Sequence, residues 1–239
     1  MKILVFQHVA IEHPGSFRDT IKAQGHSLHQ IELDEGEAIP PLHDYDVLLV
    51  MGGPMDVWEE EAHPWLAAEK AAIRAWVSAG KPYLGMCFGA QLLAEAMGGK
   101  VGLMKTAPEV GMSQVRQVGA AALFSGLPEQ LTCFQWHGAE VCELPPGASL
   151  IATNAACRVQ GFALGEHAYG LQFHAELTET TAQEWAALPE YAAALETVKG
   201  PGSLPLILAE VDAKIDDLQG VARRLILNFL QGATLQVSA

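Results

Sequence analysis

Short apolar runs recur along the first hundred residues and predict buried β-strands at 2–7, 26–33, 46–51 and 83–86. The run at 26–33 alternates apolar and polar positions, whereas the others are almost continuously apolar. Continuous runs are typical of parallel strands that are covered on both faces. Between the runs, apolar residues at helical spacing predict helices at 16–24, 63–79 and 91–97. The alternation predicts an α/β fold, a doubly wound and mostly parallel sheet flanked by helices.

The pattern changes after residue 99. Short strands separated by Gly, Pro and Asn turns are predicted at 100–104, 111–118, 131–135, 149–155, 158–164 and 168–173. We expect this half to combine additional antiparallel strands with an extension of the main sheet. From about 178 to 231 the spacing is helical, with helices predicted at 181–188, 190–198 and 206–230. Because no long linker or internal repeat divides the chain, we predict a single domain over residues 1–239.

Composition and charge exclude several classes of partner. The net charge of −14 argues against nucleic acid and against anionic membrane surfaces. The first apolar run is too short for a signal peptide, and no stretch is long enough for a membrane span. The cysteines form no Cys-x-x-Cys pair and have no zinc-ligand spacing with histidine, and no glycine-rich phosphate loop is present. We therefore expect a cytoplasmic protein with no metal and no cofactor.

The strongest chemical signal lies at residues 81–99, where a predicted strand turns directly into a predicted helix. Cys87 stands at the turn, between Gly85 and Gly89. A chain that reverses this sharply needs neighbours without side chains, because Cβ atoms would otherwise collide. The pattern is that of a nucleophile elbow with cysteine in place of serine. Backbone N–H groups at a helix start favour a thiolate and an oxyanion. The alternative is a structural cysteine in an ordinary strand–helix turn.

A second signal lies at residues 170–176, where an apolar strand ends at His174 and Glu176 follows two residues later. Side chains at i and i+2 of an extended chain point to the same side, so Glu176 can orient one ring nitrogen of His174. The other nitrogen is then free to accept the proton of Cys87. The chain order of nucleophile, histidine and acid differs from that of α/β-hydrolases. If His174 is not the base, His137 is the nearest candidate.

Glycines at positions 52 and 53 end the strand predicted at 46–51, at the carboxyl edge of the sheet where ligands bind. We expect a backbone N–H of this loop to approach the substrate closely. Four other titratable residues fall near strand ends and are interpreted as surface or loop residues: His8, Glu12, His13 and His63.

At these residues the sequence resembles the class I, triad-type glutamine amidotransferase domain, the glutaminase part of enzymes such as GMP synthase. The matching stretches lie within about residues 40–180, at 51–54, 85–93, 136–138 and 170–176. The resemblance implies a flavodoxin-like fold and hydrolysis of the glutamine side-chain amide through a thioester on Cys87. His174 would be the general base and acid, and Glu176 its orienting group.

The resemblance also implies an oxyanion hole and a substrate pocket. The N–H groups of Gly53 and Phe88 would form the oxyanion hole. The pocket for the amino-acid end of glutamine would be lined by Gln91, Trp136, His137, Gly138 and Ala139. A core aromatic is the alternative interpretation of Trp136.

Two positions depart from the family pattern. The family has proline between the histidine and the glutamate, whereas this chain has Ala175. Ala139 stands where GMP-synthase-type domains carry aspartate near the substrate α-amino group, although Glu140 is adjacent. The loss of this carboxylate weakens the expectation of strict glutamine specificity.

About 60 residues follow Glu176, too few for an ammonia-using synthetase module. We therefore predict a stand-alone glutaminase-like domain that passes ammonia to a separate synthetase subunit. A free-standing hydrolase of γ-glutamyl peptides or amides is the alternative within the same chemistry. A non-catalytic partner subunit is a third hypothesis, which the intact Cys-His-Glu set argues against.

Overall fold

The computed structural model describes residues 1–237, in which strands and helices alternate along the first half of the chain. The strands are β1 (Lys2–Gln7), β2 (Ser27–Glu32), β3 (Val47–Val50), β4 (Tyr83–Met86), β5 (Lys100–Leu103), β6 (Glu109–Gln117), β7 (Gln130–His137), β8 (Ala139–Glu143), β9 (Ala148–Thr153), β10 (Gly161–Leu164) and β11 (Ala168–Leu171). The α-helices are α1 (Phe17–Ala23), α2 (Trp65–Ser78), α3 (Phe88–Ala96), α4 (Thr181–Trp185), α5 (Pro189–Lys199), α6 (Leu204–Asp212) and α7 (Ile215–Val237).

The main sheet has nine strands in the order β2-β1-β3-β4-β11-β10-β9-β6-β7. The pairs from β2 to β11 are parallel, whereas the pairs from β11 to β7 are antiparallel. Strands β5 and β8 form a separate antiparallel pair. This topology confirms the predicted α/β fold with additional antiparallel strands. The sheet is mixed and not mostly parallel, because four of its strand pairings are parallel and four are antiparallel.

Both faces of the parallel half are buried, which explains the continuous apolar runs. In β1, Ile3 and Val5 belong to the core on one face, and Leu4 and Phe6 belong to the core on the other. Each such side chain stabilises the fold by about 1.5–3 kcal/mol through removal of its apolar surface from water. The carboxyl ends of β1, β3, β4 and β11 therefore converge at one rigid edge of the sheet.

A third apolar cluster joins the C-terminal helices to β6 and β7. Trp185 of α4 contacts Trp136 of β7, with ring centroids 6.0 Å apart, and Tyr191 of α5 lies 5.7 Å from the Trp136 ring. Ile207 and Val211 of α6 complete the cluster. This packing brings α4 and α5 close to the end of β7, where the predicted pocket residues lie.

Several elements differ from their predictions, among them the helix predicted at 181–188, which is Thr181–Trp185, and the strand predicted at 168–173, which is Ala168–Leu171. The pattern did not predict β8, a short strand that pairs with β5 outside the main sheet. The strand predicted at 158–164 begins only at Gly161, because residues 154–157 form a turn in which the Asn154 side chain accepts two backbone N–H groups. The helix predicted at 206–230 is two helices, because α6 packs in the third cluster while most of α7 packs against the parallel sheet.

Among the described residues, every helix falls short of the combined length and apolarity that crossing a membrane requires.

Candidate active site

The strand–helix turn at Cys87 has the predicted elbow geometry. Cys87 adopts φ +48° and ψ −103°, and within residues 1–237 it is the non-glycine residue with positive φ. A Cβ on Gly85 would lie 2.5 Å from the Gly89 carbonyl, and one on Gly89 would lie 2.2 Å from the Val50 oxygen. Glycine is therefore required at both flanking positions. The strained conformation projects Cys87 from the carboxyl edge of the sheet, at the start of α3.

His174 and Glu176 form a buried pair directly beyond β11. His174 Nδ1 lies 2.7 Å from Glu176 Oε1, and both side chains are almost fully buried. The backbone of His174 is held by the edge strand β7, because its N–H donates to the Phe134 carbonyl over 2.8 Å. The imidazole also packs edge-on against Trp185, with ring centroids 4.4 Å apart. The ring orientation is thus fixed from three sides.

The free nitrogen of His174 faces the elbow cysteine. Nε2 is buried, and within the described part of the chain it makes no hydrogen bond of standard geometry. The Cys87 sulfur nevertheless influences the pKa of the imidazole. Burial alone lowers the pKa of His174, whereas the charges of Glu176 and of a Cys87 thiolate, with their hydrogen bonds, raise it well above its usual value. The arrangement therefore favours the protonated form of His174.

Ala175, which replaces the proline of the family pattern, supplies a hydrogen bond that proline cannot make. Its N–H donates to Glu176 Oε2 over 2.9 Å, while the other carboxylate oxygen contacts His174. Both oxygens of Glu176 are thereby held. The substitution leaves the orientation of the carboxylate defined.

Two glutamine side chains connect Cys87 to the pocket. Gln172 Nε2 donates to Cys87 Sγ over 3.5 Å, and Gln91 Nε2 lies 3.1 Å from Gln172 Oε1 and 3.2 Å from the Ala139 carbonyl. Gln91 was predicted to line the pocket, whereas Gln172 was not predicted. The i, i+2 spacing of Gln172 before His174 is the signal that could have identified it.

The loop after β3 approaches the elbow closely. A Cβ on Gly53 would lie 2.6 Å from the Met55 sulfur and 3.1 Å from the His8 Cβ, so a side chain there would require both neighbours to shift. Phe88 is the first residue of α3, so its N–H precedes the first intrahelical hydrogen bond. The two predicted oxyanion-hole positions thus border the same space next to Cys87.

His8 supports this loop from behind. It was interpreted as a surface or loop residue, and it is a buried loop residue. Its Nδ1 lies 2.8 Å from the Gly52 carbonyl, and its Nε2 lies 2.9 Å from Glu69 Oε1 of α2. Burial alone lowers the pKa of His8, but Glu69 and the hydrogen bond to Gly52 raise it overall. A charged His8 would donate to both oxygens and fix the position of the Gly52 peptide.

Glu12 was also interpreted as a surface or loop residue, and it is a buried loop residue. Tyr191 donates its hydroxyl proton to Glu12 Oε1 over 2.5 Å. A Cβ on Gly52 would lie 2.5 Å from Glu12 Oε2, so the carboxylate packs directly against the glycine loop. Burial raises the pKa of Glu12, an effect that His174 and the Tyr191 hydrogen bond oppose and Glu176 reinforces. Glu12 therefore belongs to the surroundings of the His174–Glu176 pair.

One cavity of about 200 Å³ brings the predicted pocket residues together. The predicted residues in its wall are Gly53, Cys87, Phe88, Gln91, Trp136, His137, Gly138 and Ala139. His174 and Glu176 do not line it and lie behind Cys87. Trp136 is both a core aromatic and a wall residue, because it belongs to the third apolar cluster and also lines the cavity. Its indole N–H donates to the Tyr191 carbonyl over 3.2 Å.

Sequence reasoning missed the second half of the wall. The unpredicted residues are Pro54, Met55, Asp56, Leu103, Pro108, Glu190, Tyr191 and Ala194. Glu190, Tyr191 and Ala194 come from α5, which reaches the cavity through tertiary packing that no local pattern encodes. The Glu140 carboxylate, adjacent to Ala139, is directed toward Cys157 and is not part of the wall. Asp56 and Glu190 are the carboxylates that border the cavity.

Known proteins match both the sequence and this architecture. The family model described as "Glutamine amidotransferase class-I" matches residues 16–187. A glutamine-hydrolyzing GMP synthase from Herminiimonas arsenicoxydans is 32% identical over 201 residues, which are 80% of this chain and 36% of that enzyme. The chain thus spans about a third of the length of that curated relative.

Solved structures match along nearly the whole chain. A glutamine amidotransferase from Thermotoga maritima has a TM-score of 0.86 and 32% identity, covering 96% of this chain and 97% of that chain. A glutamine amidotransferase from Methylobacillus flagellatus has a TM-score of 0.82 and 27% identity, covering 97% and 94%. With the family match over residues 16–187 and this shared fold, the chain belongs to the class I glutamine amidotransferases.

Proposed function

We propose that this chain hydrolyses the side-chain amide of glutamine through a γ-glutamyl thioester on Cys87 and releases ammonia. The observation that carries the proposal is the grouping of three features at one cavity of about 200 Å³, two of them in its wall and the third behind Cys87. These features are the Cys87 sulfur, the His174–Glu176 pair behind it and the backbone of Gly53 and Phe88 beside it.

The proposed reaction uses each group in a defined step. The Cys87 thiolate attacks the amide carbon, and the N–H groups of Gly53 and Phe88 stabilise the oxyanion. Protonated His174 then gives its proton to the leaving nitrogen as the carbon–nitrogen bond breaks. Water attacks the thioester with His174 as base, and glutamate leaves. Glu176 holds the imidazole and stabilises its positive charge throughout.

The size of the cavity favours glutamine over γ-glutamyl peptides. Its volume of about 200 Å³ lies below the roughly 300–1,000 Å³ of pockets for drug-sized ligands. Gln91, Trp136 and the backbone at 137–139 would contact the amino-acid end of the substrate. We infer that Asp56 or Glu190, which border the cavity, bind its α-ammonium group in place of the carboxylate absent at Ala139.

The ammonia is proposed to serve a separate acceptor subunit. The curated relative is a glutamine-hydrolyzing GMP synthase, and this chain covers 36% of its length. A synthetase that lies outside this sequence would use the ammonia released at Cys87.

Ammonia and glutamate release by the purified chain tests the proposal, with γ-glutamyl peptides assayed in parallel. We expect glutamine to be the better substrate and Cys87→Ser to abolish turnover. Cys142→Ser is the matched control, because Cys142 is a free, exposed cysteine outside the cavity. Preferred cleavage of peptides would replace the glutamine assignment with the γ-glutamyl hydrolase. Normal turnover by Cys87→Ser would overturn the mechanism itself.

A further inference from the structure

A second cluster of cysteine, histidine and glutamate lies on the far side of the pocket wall. Glu109 begins β6, His137 ends β7, and Cys157 lies in the turn between β9 and β10. One donor atom from each residue lies within 4.8 Å of the other two. The ligands come from three separate segments, so the cluster has no sequence spacing that would reveal it. The proposed glutaminase mechanism uses neither Glu109 nor Cys157.

The hydrogen bonding of His137 leaves one ring nitrogen available as a metal ligand. Its Nδ1 lies 2.9 Å from the Ala139 carbonyl, which can only accept a hydrogen bond, so Nδ1 carries the proton. Nε2 of the neutral ring therefore presents a lone pair. This atom is buried and has no hydrogen-bond partner within residues 1–237. Metal-binding histidines are oriented in the same way, by an N–H bond from the other nitrogen to a carbonyl.

The carboxylate of Glu109 is fixed by two amide groups. Asn154 Nδ2 donates to Oε1, and Gln160 Nε2 donates to Oε2, each over 2.7 Å. Oε2 also lies 3.4 Å from His137 Nε2. Two ligands bound at roughly 2.0–2.2 Å to one tetrahedral ion are separated by about this distance, which exceeds that of a normal hydrogen bond.

We propose that Glu109, His137 and Cys157 bind a divalent transition-metal ion of the zinc type. One thiolate, one imidazole and one carboxylate match the ligand preferences of Zn²⁺. Binding forms a metal–sulfur bond, and the Cys157 thiol releases its proton to solvent. The Glu140 carboxylate, which interacts with the Cys157 thiol, or a water molecule takes the fourth position.

The bound ion would act on the pocket through backbone position. His137 lines the cavity and is followed by Gly138 and Ala139, which line it as well. An ion shared with Glu109 and Cys157 would tie this turn to β6 and to the loop at 154–160. The ion therefore has a structural role, and its binding does not depend on the chemistry at Cys87.

Cobalt binding tests the site, because a cysteine ligand gives Co²⁺ a thiolate charge-transfer band. The background is Cys87→Ala, since Cys87 and the acids around His174 could also take up a metal. We expect the chelator-treated protein to bind about one Co²⁺ with this band, and Zn²⁺ to displace it because zinc binds such sites more tightly. Zn²⁺ should also raise the Tm of this protein.

Three further variants separate the site from other thiols. Adding Cys157→Ser should abolish the band, adding Glu109→Gln should weaken Co²⁺ binding by at least about 10-fold, and adding Cys142→Ser should change neither. The metal-free Tm of each variant checks the fold, and Glu109→Gln keeps the test valid if Cys157→Ser does not fold. No band in the background protein, or a band that persists without Cys157, would overturn the proposal.

Discussion

At the scale of single residues, the raised pKa of His174 is central to the electrostatics of the site. His174 is fully buried, yet Glu176 and the Cys87 thiolate raise its pKa well above the usual value. A buried imidazolium is tolerated because the Glu176 carboxylate is paired with its Nδ1. In the proposed mechanism this imidazolium gives its proton to the leaving ammonia, and the neutral ring then accepts the proton of the attacking water.

Removal of the imidazole should therefore remove both functions. We predict that His174→Ala lowers kcat for glutamine hydrolysis on the order of 10⁴-fold or more, as the loss of a triad base does in hydrolases. Steady-state kinetics measure this, with His137→Ala as the comparison for the alternative base. A loss for His174→Ala of only a few-fold would show that the base lies elsewhere.

Glu12 provides a prediction with a defined pH dependence. Its folded-state pKa is raised, chiefly by burial, so the native protein retains a proton that the unfolded chain releases. Ionisation of Glu12 therefore costs stability as pH rises from about 4 through its folded-state pKa. Glu12→Gln keeps the acceptor for Tyr191 but removes the charge, so it should stabilise the fold at pH 8 and have little effect near pH 4.

Urea unfolding of Glu12→Gln and the wild-type chain at both pH values measures this difference. Tyr191→Phe is the matched variant, because it removes the hydrogen bond to Glu12 and leaves the charge. A free energy of unfolding that drops by the same amount at pH 4 and pH 8 in Glu12→Gln would contradict the account.

Which residues were predictable depends on how local their signals are. Cys87 and its flanking glycines form one local sequence motif, and His174 with Glu176 forms another, so both could be predicted from neighbouring positions. His8 and Glu12 do not, because their burial is created by distant partners, Glu69 of α2 and Tyr191 of α5. The assignment of catalytic roles to Cys87, His174 and Glu176 stays a prediction.

At the scale of elements, the elbow depends on the close approach of α3 to β3. Gly89→Ala would place a methyl group 2.2 Å from the Val50 carbonyl oxygen, and a backbone atom cannot rotate away. We predict a loss of about 3 kcal/mol or more in the free energy of unfolding. Gly220→Ala in α7 is the control, because a Cβ there meets nothing within 4 Å. It should stabilise by about 0.5–1 kcal/mol.

Equal effects of the two alanines in chemical denaturation would contradict the close-approach account.

The strands of the parallel half were predictable because burial on both faces leaves continuous apolar runs. Strand β8 was not, because it is short and pairs only with β5 outside the main sheet. The break between α6 and α7 was also hidden, since it follows from the two different cores against which the helices pack.

At the scale of the whole molecule, the cavity next to Cys87 joins the two halves of the chain. The carboxyl edge of the parallel sheet provides Gly53, Cys87 and Phe88, whereas β7 and α5 provide Trp136 and Tyr191. Sequence patterns predicted the first group and the end of β7. The position of α5 results from the third apolar cluster, which no single segment encodes. The prediction of one domain over 1–239 stays a prediction, and its last two residues lie outside the described range.

The most direct test of the central claim is covalent labelling with an electrophilic chloroketone analogue of glutamine, followed by intact-mass and peptide mass spectrometry. The account predicts one adduct per chain, located on Cys87 and suppressed by excess glutamine. Cys87→Ser should remain unlabelled, and exposed Cys142 should react slowly and without protection by glutamine. Labelling at Cys142 with Cys87 unmodified, or labelling of Cys87 that glutamine does not suppress, would contradict a glutamine site at Cys87.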